Sequence, residues 1–548
     1  MAEGWWRARL ASIRMPPSSG GSPRAYLPRT HFPPGRAHAT EAHPTPRHAV
    51  NIERYRSIIP DWDRFVETIE RPEPTTLRVC TRRVDPAEVT ARLEADGFGL
   101  EPVDGLEDVF RVVERPRLAS DTVLHWHGLY YIQQASTAVV APVLDPAPGA
   151  RVLDLCAAPG GKTTHLADRM GGRGCLVAVE VNENRVRALL GNLYRTAHTN
   201  VLVVSGDGRS LPDAALFDHV LTDVPCSAEG TLRKRGGKTR GRAPTGKFHR
   251  RLTRRQERLL RRALRLTRPG GTVLYVTCTF APEENEAVVS RVLADAPTEV
   301  VPLTLPVPHA SGLTAFEEER FHPALEGAAR IYPHHLDSGG LFLCLLRRLE
   351  GEVPDTDASQ DAMAAPVGGM EGGWAAPPVL YPPGDGEAEA ARAIERALDD
   401  LRTTFGVQDE ALERFRWTAR GDSVWAHSAG EWPLAGWPEG GHWRLVSAGV
   451  RAFGPDAQRR LRPSNDLLRV LDAAVRERRV ELTEGEALAL LEGRGPAVAI
   501  GDGPVALVLE GHVIGRGDVR DGRLRSEIAK ARARPLREVL ERAVQRGD

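Results

Sequence analysis

VLDLCAAPGGKT, residues 152–163, is the stretch on which the fold turns. A short apolar run carries an acid and a cysteine, and a Pro-Gly-Gly turn then opens what reads as a helix. A glycine-rich strand-to-helix turn lets backbone approach a ligand, and a helix start offers N–H groups with no intrahelical partner. The turn lacks the GxxxxGK[ST] spacing of a phosphate-binding loop, which argues against a nucleoside triphosphatase.

Around this turn, apolar runs alternate with amphipathic helical patterns. ARVLDLC (150–156), CLVAVEV (175–181), NVLVVSGD (200–207), FDHVLTDVP (217–225) and GGTVLYVTC (270–278) read as strands. Helical patterns cover 182–197, 252–266 and 282–295, and GGLFLCLLRR (339–348) closes the unit. This is the α/β pattern of a Rossmann-like, mostly parallel sheet with helices on both faces. Such sheets bind ligands beyond the carboxyl ends of their strands. Cys156, Glu180, Asp207, Asp223, Cys226 and Cys278 all fall at those ends.

With 548 residues the chain is too long for one core. Residues 1–50, rich in Pro, Gly and His, read as a disordered tail; 51–147 as a small N-terminal α/β domain; 148–348 as the alternating α/β unit. A linker is expected over 349–387, where apolar periodicity stops, and a C-terminal α+β region over 388–548. Lys plus Arg equals Asp plus Glu at 73 each, so net charge does not identify a partner. There is no run of eighteen apolar residues and no apolar secretory core. Six cysteines without metal-type spacing fit free thiols in a reducing compartment. A cytoplasmic monomer with no membrane partner and no metal is expected; HWHG (125–128) lacks further ligands at suitable spacing.

An acid ending the second strand, Glu180, is placed to accept hydrogen bonds from ribose hydroxyls, and Asp207 to bond an adenine amino group. The two cysteines in DVPCSAEGT (223–231) and VTCTFAPEENE (276–286) ask for their own chemistry. Carbon 5 of cytosine is a poor nucleophile. A thiolate adding to carbon 6 pushes electron density onto carbon 5, which then attacks an electrophilic methyl group. The carbon-5 proton must leave before the thiolate does, and Asp223 is placed to hydrogen-bond ring nitrogen 3. The residues alone leave open which cysteine attacks. Cys80, Cys175 and Cys344 sit in apolar strand contexts and read as packed hydrophobes. Between Leu232 and Leu266, fifteen Lys and Arg stand against one acid, Glu257, which points to a polyanion beside Cys226.

The segments TTLRVCTRR, GLYYIQQAST, VLDLCAAPGGKTTHLA, DVPCSAEGTLRK and YVTCTFAPEENE resemble the RNA 5-methylcytosine methyltransferases of the Sun/Fmu type, which include RsmB and RsmF. The resemblance runs from about Thr75 to Arg348. It implies a class I S-adenosylmethionine methyltransferase fold and S-adenosyl-L-methionine as cofactor. It implies that Cys278 is the nucleophile and that Cys226 assists release. Cofactor contacts carry over to Cys156, Ala157, Ala158, Pro159, Gly160, Gly161 and Lys162, and to Glu180, Asp207 and Asp223. Ala228 stands where the family usually has glycine, Val276 where it usually has serine, and a long basic insertion follows TLRK. LEGHVIGRGDVRDGRLRSEIAKARARPLR resembles the PUA-like ending of the RsmF branch, and no N-terminal helical domain of the RsmB kind is seen. The resemblance implies methylation of cytosine in RNA, with 16S ribosomal RNA or the small ribosomal subunit as the expected partner. A transfer-RNA methyltransferase and a non-catalytic RNA-binding assembly factor are the alternatives.

Overall fold

The structure is a computed structural model that describes residues 52–211, 216–235, 246–354, 374–375, 386–420, 422–433, 443–456 and 460–547. The expected tail, most of the expected linker and the middle of the basic segment lie outside these residues.

The described residues open with a short 3-10 helix (Ile52–Tyr55), followed by helix α1 (Trp62–Glu70) and a four-stranded antiparallel sheet. Its strands β1 (Thr76–Val79), β2 (Gly99–Val103), β3 (Leu106–Glu114) and β4 (Tyr130–Ile132) lie in the order β2-β3-β1-β4. Helix α2 (Pro86–Ala95) joins β1 to β2. Its start is set by Asp85, whose carboxylate accepts the Ala87 N–H, and by Pro86 in the first turn, where a missing N–H costs nothing.

The central sheet is mixed. Strands β5 (Arg151–Asp154), β6 (Cys175–Glu180), β7 (Val201–Ser205), β8 (Phe217–Asp223) and β9 (Thr267–Thr277) are parallel, in the order β9-β8-β5-β6-β7. Every residue of β6 is buried, as a strand covered on both faces requires. Crossovers run through α3 (Gly161–Arg169), α4 (Glu183–Arg195) and α5 (Gly246–Leu266), and α6 (Glu286–Leu293) follows β9. Both flanks depart from the parallel pattern. β10 (Leu341–Arg348) lies antiparallel to β9, and β11 (Arg444–Ala448) lies antiparallel to β7. The segment beyond residue 388 thus contributes a strand to the central sheet. The rest of it forms two further four-stranded sheets, over residues 416–463 and 479–526. Cys80, Cys175 and Cys344 are buried, and burial pushes the Cys80 thiol up to about 11.

A buried ion network fastens the N-terminal sheet to the central one. Arg78 of β1 is fully buried; its guanidinium donates to Asp168 of α3 at 2.7 Å, to Gln133 Oε1 at 3.0 Å and to Thr164 at 3.1 Å. Asp168 also meets His198 Nε2 at 3.0 Å. Burial by itself would raise the Asp168 carboxyl, but His198 and Arg78 outweigh it and hold it well below the usual carboxylate range. HWHG lies at a second joint: Arg469 stacks on Trp126, 4.7 Å from the ring centre, and His127 Nε2 meets the Leu509 carbonyl at 3.1 Å.

Removing one partner of a buried pair leaves the other charge uncompensated, so Arg78→Leu is expected to destabilise the protein by about 3 kcal/mol or more. Urea denaturation checks this, and a loss below roughly 1 kcal/mol, the scale of a surface ion pair, contradicts the anchoring role.

Candidate active site

From β5 the chain proceeds outward to β6 and β7, then crosses back to β8 and β9 on the other side. The crevice between β5 and β8 is therefore the switch point at which α/β sheets bind ligands. The turn after β5 fills it. Gly160 takes φ 107°, where a side chain would be strained, and a Cβ there would stand 2.9 Å from Leu189. No side chain caps α3, so its first N–H groups are left to a ligand.

A pocket of about 220 Å³ opens there. It is lined by Cys156, Ala157, Ala158, Pro159, Gly161 and Lys162, by Asp154 and Asp223, and by residues 131–134 and Thr137 from the N-terminal segment. Lys162 Nζ donates to Asp223 Oδ2 at 2.7 Å. Burial lowers the Lys162 ammonium, but Asp223 outweighs it and keeps the charge on. Glu180 and Asp207 stand at neighbouring strand ends, outside the lining of this pocket. Each is held by an arginine: Arg185 Nη1 lies 3.1 Å from Glu180 Oε2, and Arg209 Nε lies 3.0 Å from Asp207 Oδ1. Burial would raise Asp207, but Arg209 more than offsets it.

The sequence reading missed Asp154 and residues 131–134. Asp154 is 1% exposed, accepts from Thr163 Oγ1 at 2.8 Å and from the Cys156 N–H at 3.3 Å. Burial, with Asp223 nearby, pushes its carboxyl up to about 7. An acid inside the apolar run VLDLC was the signal for it. Residues 131–134 carry no such signal, because the antiparallel pairing of β1 with β4 is what brings them to the pocket.

The two strand-end cysteines meet. Cys226 Sγ and Cys278 Sγ are 3.3 Å apart, a hydrogen-bond distance well beyond that of a disulfide. The pair is asymmetric. A hydrogen bond from Cys226 lowers the Cys278 thiol, with burial and Asp223 opposing it and Lys162 assisting. The same bond and burial push the Cys226 thiol well up. The two sulfurs thus form one donor–acceptor unit, with the Cys278 thiol drawn down and the Cys226 thiol pushed up. Ala228, two residues on, takes φ 60°, the left-handed region that glycine enters at no steric cost.

Residues 141–347 match the family model described as 16S rRNA methyltransferase RsmB/F. That match takes in the glycine turn and both strand-end cysteines, and it covers less than half of the chain. A human 28S rRNA cytosine-C(5) methyltransferase is 32% identical over 312 residues, 55% of this chain and 38% of that one. The ribosomal RNA small subunit methyltransferase F of Salmonella paratyphi B is 34% identical over 317 residues, 56% of this chain and 62% of that one. The chain thus spans less than two thirds of each of these curated relatives. A solved methyltransferase homologue from Pyrococcus horikoshii is 31% identical, with TM-score 0.49, covering 54% of this chain and 94% of that one.

The family match does not reach the pairing of the thiols, which has its own test. Iodoacetamide alkylation of Cys278, followed by mass spectrometry across pH, is expected to show a midpoint below that of an ordinary thiol. In Cys226→Ala the largest lowering cause is gone, so the midpoint moves up. A midpoint that stays put in Cys226→Ala contradicts the donor assignment.

Proposed function

We propose that the protein transfers a methyl group from S-adenosyl-L-methionine to carbon 5 of cytosine in RNA, most directly 16S ribosomal RNA. The observation that carries this reading is the thiol pair, with Lys162 and Asp223 of the strand-end pocket acting on Cys278. The residues fit the cofactor: an uncapped helix start for a carboxylate, buried Asp154 for an ammonium, and acids ending β6 and beyond β7 for ribose and adenine. Residues 156–162, Glu180, Asp207 and Asp223 would hold it, and bound there it supplies an electrophilic methyl group.

The chain's residues would do the rest. Cys278 Sγ attacks carbon 6 and the electron pair moves onto carbon 5, which takes the methyl group. Asp223, held by Lys162, orients the pyrimidine edge, with a proton shared between its carboxyl and ring nitrogen 3. A water molecule then takes the carbon-5 proton, the freed C–H electron pair forms the carbon 5–carbon 6 double bond, and the carbon–sulfur bond breaks with its electron pair returning to Cys278 Sγ. A thiolate that accepts a hydrogen bond is the better leaving group, so Cys226 assists this last step. The target base must be unstacked to reach the pocket.

The substrate class rests on α5 as well. Lys247, Arg250, Arg251 and Arg254 are exposed along its first half, beside Phe248, which is 51% exposed. Cations interleaved with an aromatic ring suit a single-stranded polynucleotide. Not all of the basic run serves this purpose: Arg233 is buried on Asp337 at 2.7 Å, and Arg261 is buried on Glu257 and Asp295. We read residues 51–147 and the PUA-like C-terminal region as further RNA-contacting parts of a cytoplasmic enzyme.

Tritiated methyl transfer to 16S, 23S and transfer-RNA transcripts tests the reading. Cys278→Ala is expected to abolish transfer while calorimetric binding of S-adenosylhomocysteine persists; full residual activity sinks it. In Cys226→Ala the departing thiolate loses its donor, so a covalent protein–RNA adduct should accumulate as a slow band on a denaturing gel. Label on transfer RNA alone would replace the ribosomal substrate.

A further inference from the structure

The loop that carries Cys226 is gripped on both sides by two residues outside the pocket. Gln256, on α5 and fully buried, donates from Nε2 to the Pro225 carbonyl at 3.0 Å and to Glu284 Oε2 at 2.8 Å. Glu284, also fully buried, accepts from the Ser227 N–H at the same Oε2, at 3.0 Å. The peptide groups before and after Cys226 are thus tied to one Gln–Glu pair. Glu284 is itself fixed by Tyr275 of β9, whose hydroxyl donates to its carbonyl at 2.6 Å. It lies in the loop that follows Cys278. The pair therefore links the two cysteine loops behind the sulfurs.

Two details argue that this is more than packing. The remaining side-chain oxygen of each, Gln256 Oε1 and Glu284 Oε1, is buried without a hydrogen-bond partner. Such atoms are costly, and an apolar pair would avoid the cost. Glu284 also places a buried negative charge near both sulfurs. The hydrogen bond to Cys278 and burial are the larger reasons why Cys226 stays protonated, and Glu284 adds to them.

We infer that Gln256 and Glu284 are positioning residues for the release step: they hold the Pro225–Ser227 loop so that the Cys226 thiol stays within hydrogen-bond reach of Cys278 Sγ. This rests on the release role proposed above for Cys226. The helix that exposes the arginines toward the substrate is then also the helix that sets the releasing thiol.

The test uses the full chain, a mixture of 16S and 23S ribosomal RNA transcripts, and S-adenosylmethionine, with adduct read on a denaturing gel and S-adenosylhomocysteine binding by calorimetry. Gln256→Leu keeps the volume and removes the donor. With both cysteines present it is expected to bind S-adenosylhomocysteine like the wild type, yet to release product about ten-fold more slowly and accumulate adduct, as Cys226→Ala does. Glu284→Leu should do the same. Glu284→Gln keeps an oxygen for the Ser227 N–H and the Gln256 amide, so it should restore release. A merely structural role predicts instead that the leucine variants lose cofactor affinity and thermal stability together and form no adduct, which would overturn the inference. Adduct in Cys226→Ala but none in Gln256→Leu overturns it alone; absence of adduct in both overturns the release role of Cys226 as well.

Discussion

Parallel strands joined by crossovers all end on the same edge of their sheet, and the rest of this molecule depends on that constraint. The order β9-β8-β5-β6-β7 places the two cysteine loops, which follow β8 and β9, beside the glycine turn that follows β5. The reactive groups lie far apart in sequence, and it is the sheet that converts their common position in five repeats into a common place. The antiparallel flanks β10 and β11 leave this edge intact while closing the sheet on both sides.

At that edge the balance of charge decides which sulfur does what. Two thiols 3.3 Å apart cannot both ionise easily, because a second thiolate would face the first in a site shielded from water. One must donate and the other accept. Lys162 draws the Cys278 thiol down while Asp223 opposes it, and Glu284 raises both thiols. Lys162 also pairs with the half-buried Asp223.

Helix α5 is where recognition and chemistry touch. Its first half shows arginines and Phe248 to solvent, and its second half buries Leu259, Leu260 and Leu264 against the sheet. Between them Gln256 turns inward to the cysteine loop. The segment beyond residue 388 is not merely attached to this core. By adding β11 to the edge strand β7 it covers backbone groups that an edge would leave unpaired. It also brings Trp443 against Gly206, next to Asp207.

Much of this was legible in the chain. The alternation of apolar runs with helical periods fixed the α/β class, since a continuous apolar run suits only a strand covered on both faces. VLDLCAAPGGKT located the switch-point turn, and strand-end placement singled out Cys226 and Cys278. Local pattern has no means of reporting partners. It counted fifteen cations between Leu232 and Leu266 without telling which are exposed, and Arg233 and Arg261 are buried on acids from elsewhere in the chain. It placed Glu180 and Asp207 at strand ends but could not show that Arg185 and Arg209 lie against them. It could not see that β11 joins the central sheet, or that Gln256 and Glu284 bracket Cys226. Composition and periodicity thus determined the fold class and the residues that carry reactive atoms, because those follow from side-chain chemistry and short-range spacing. That the two sulfurs meet at 3.3 Å, and that their acidities are drawn apart, was decided only by the tertiary structure, because the energy of a buried group depends on neighbours that the fold brings together.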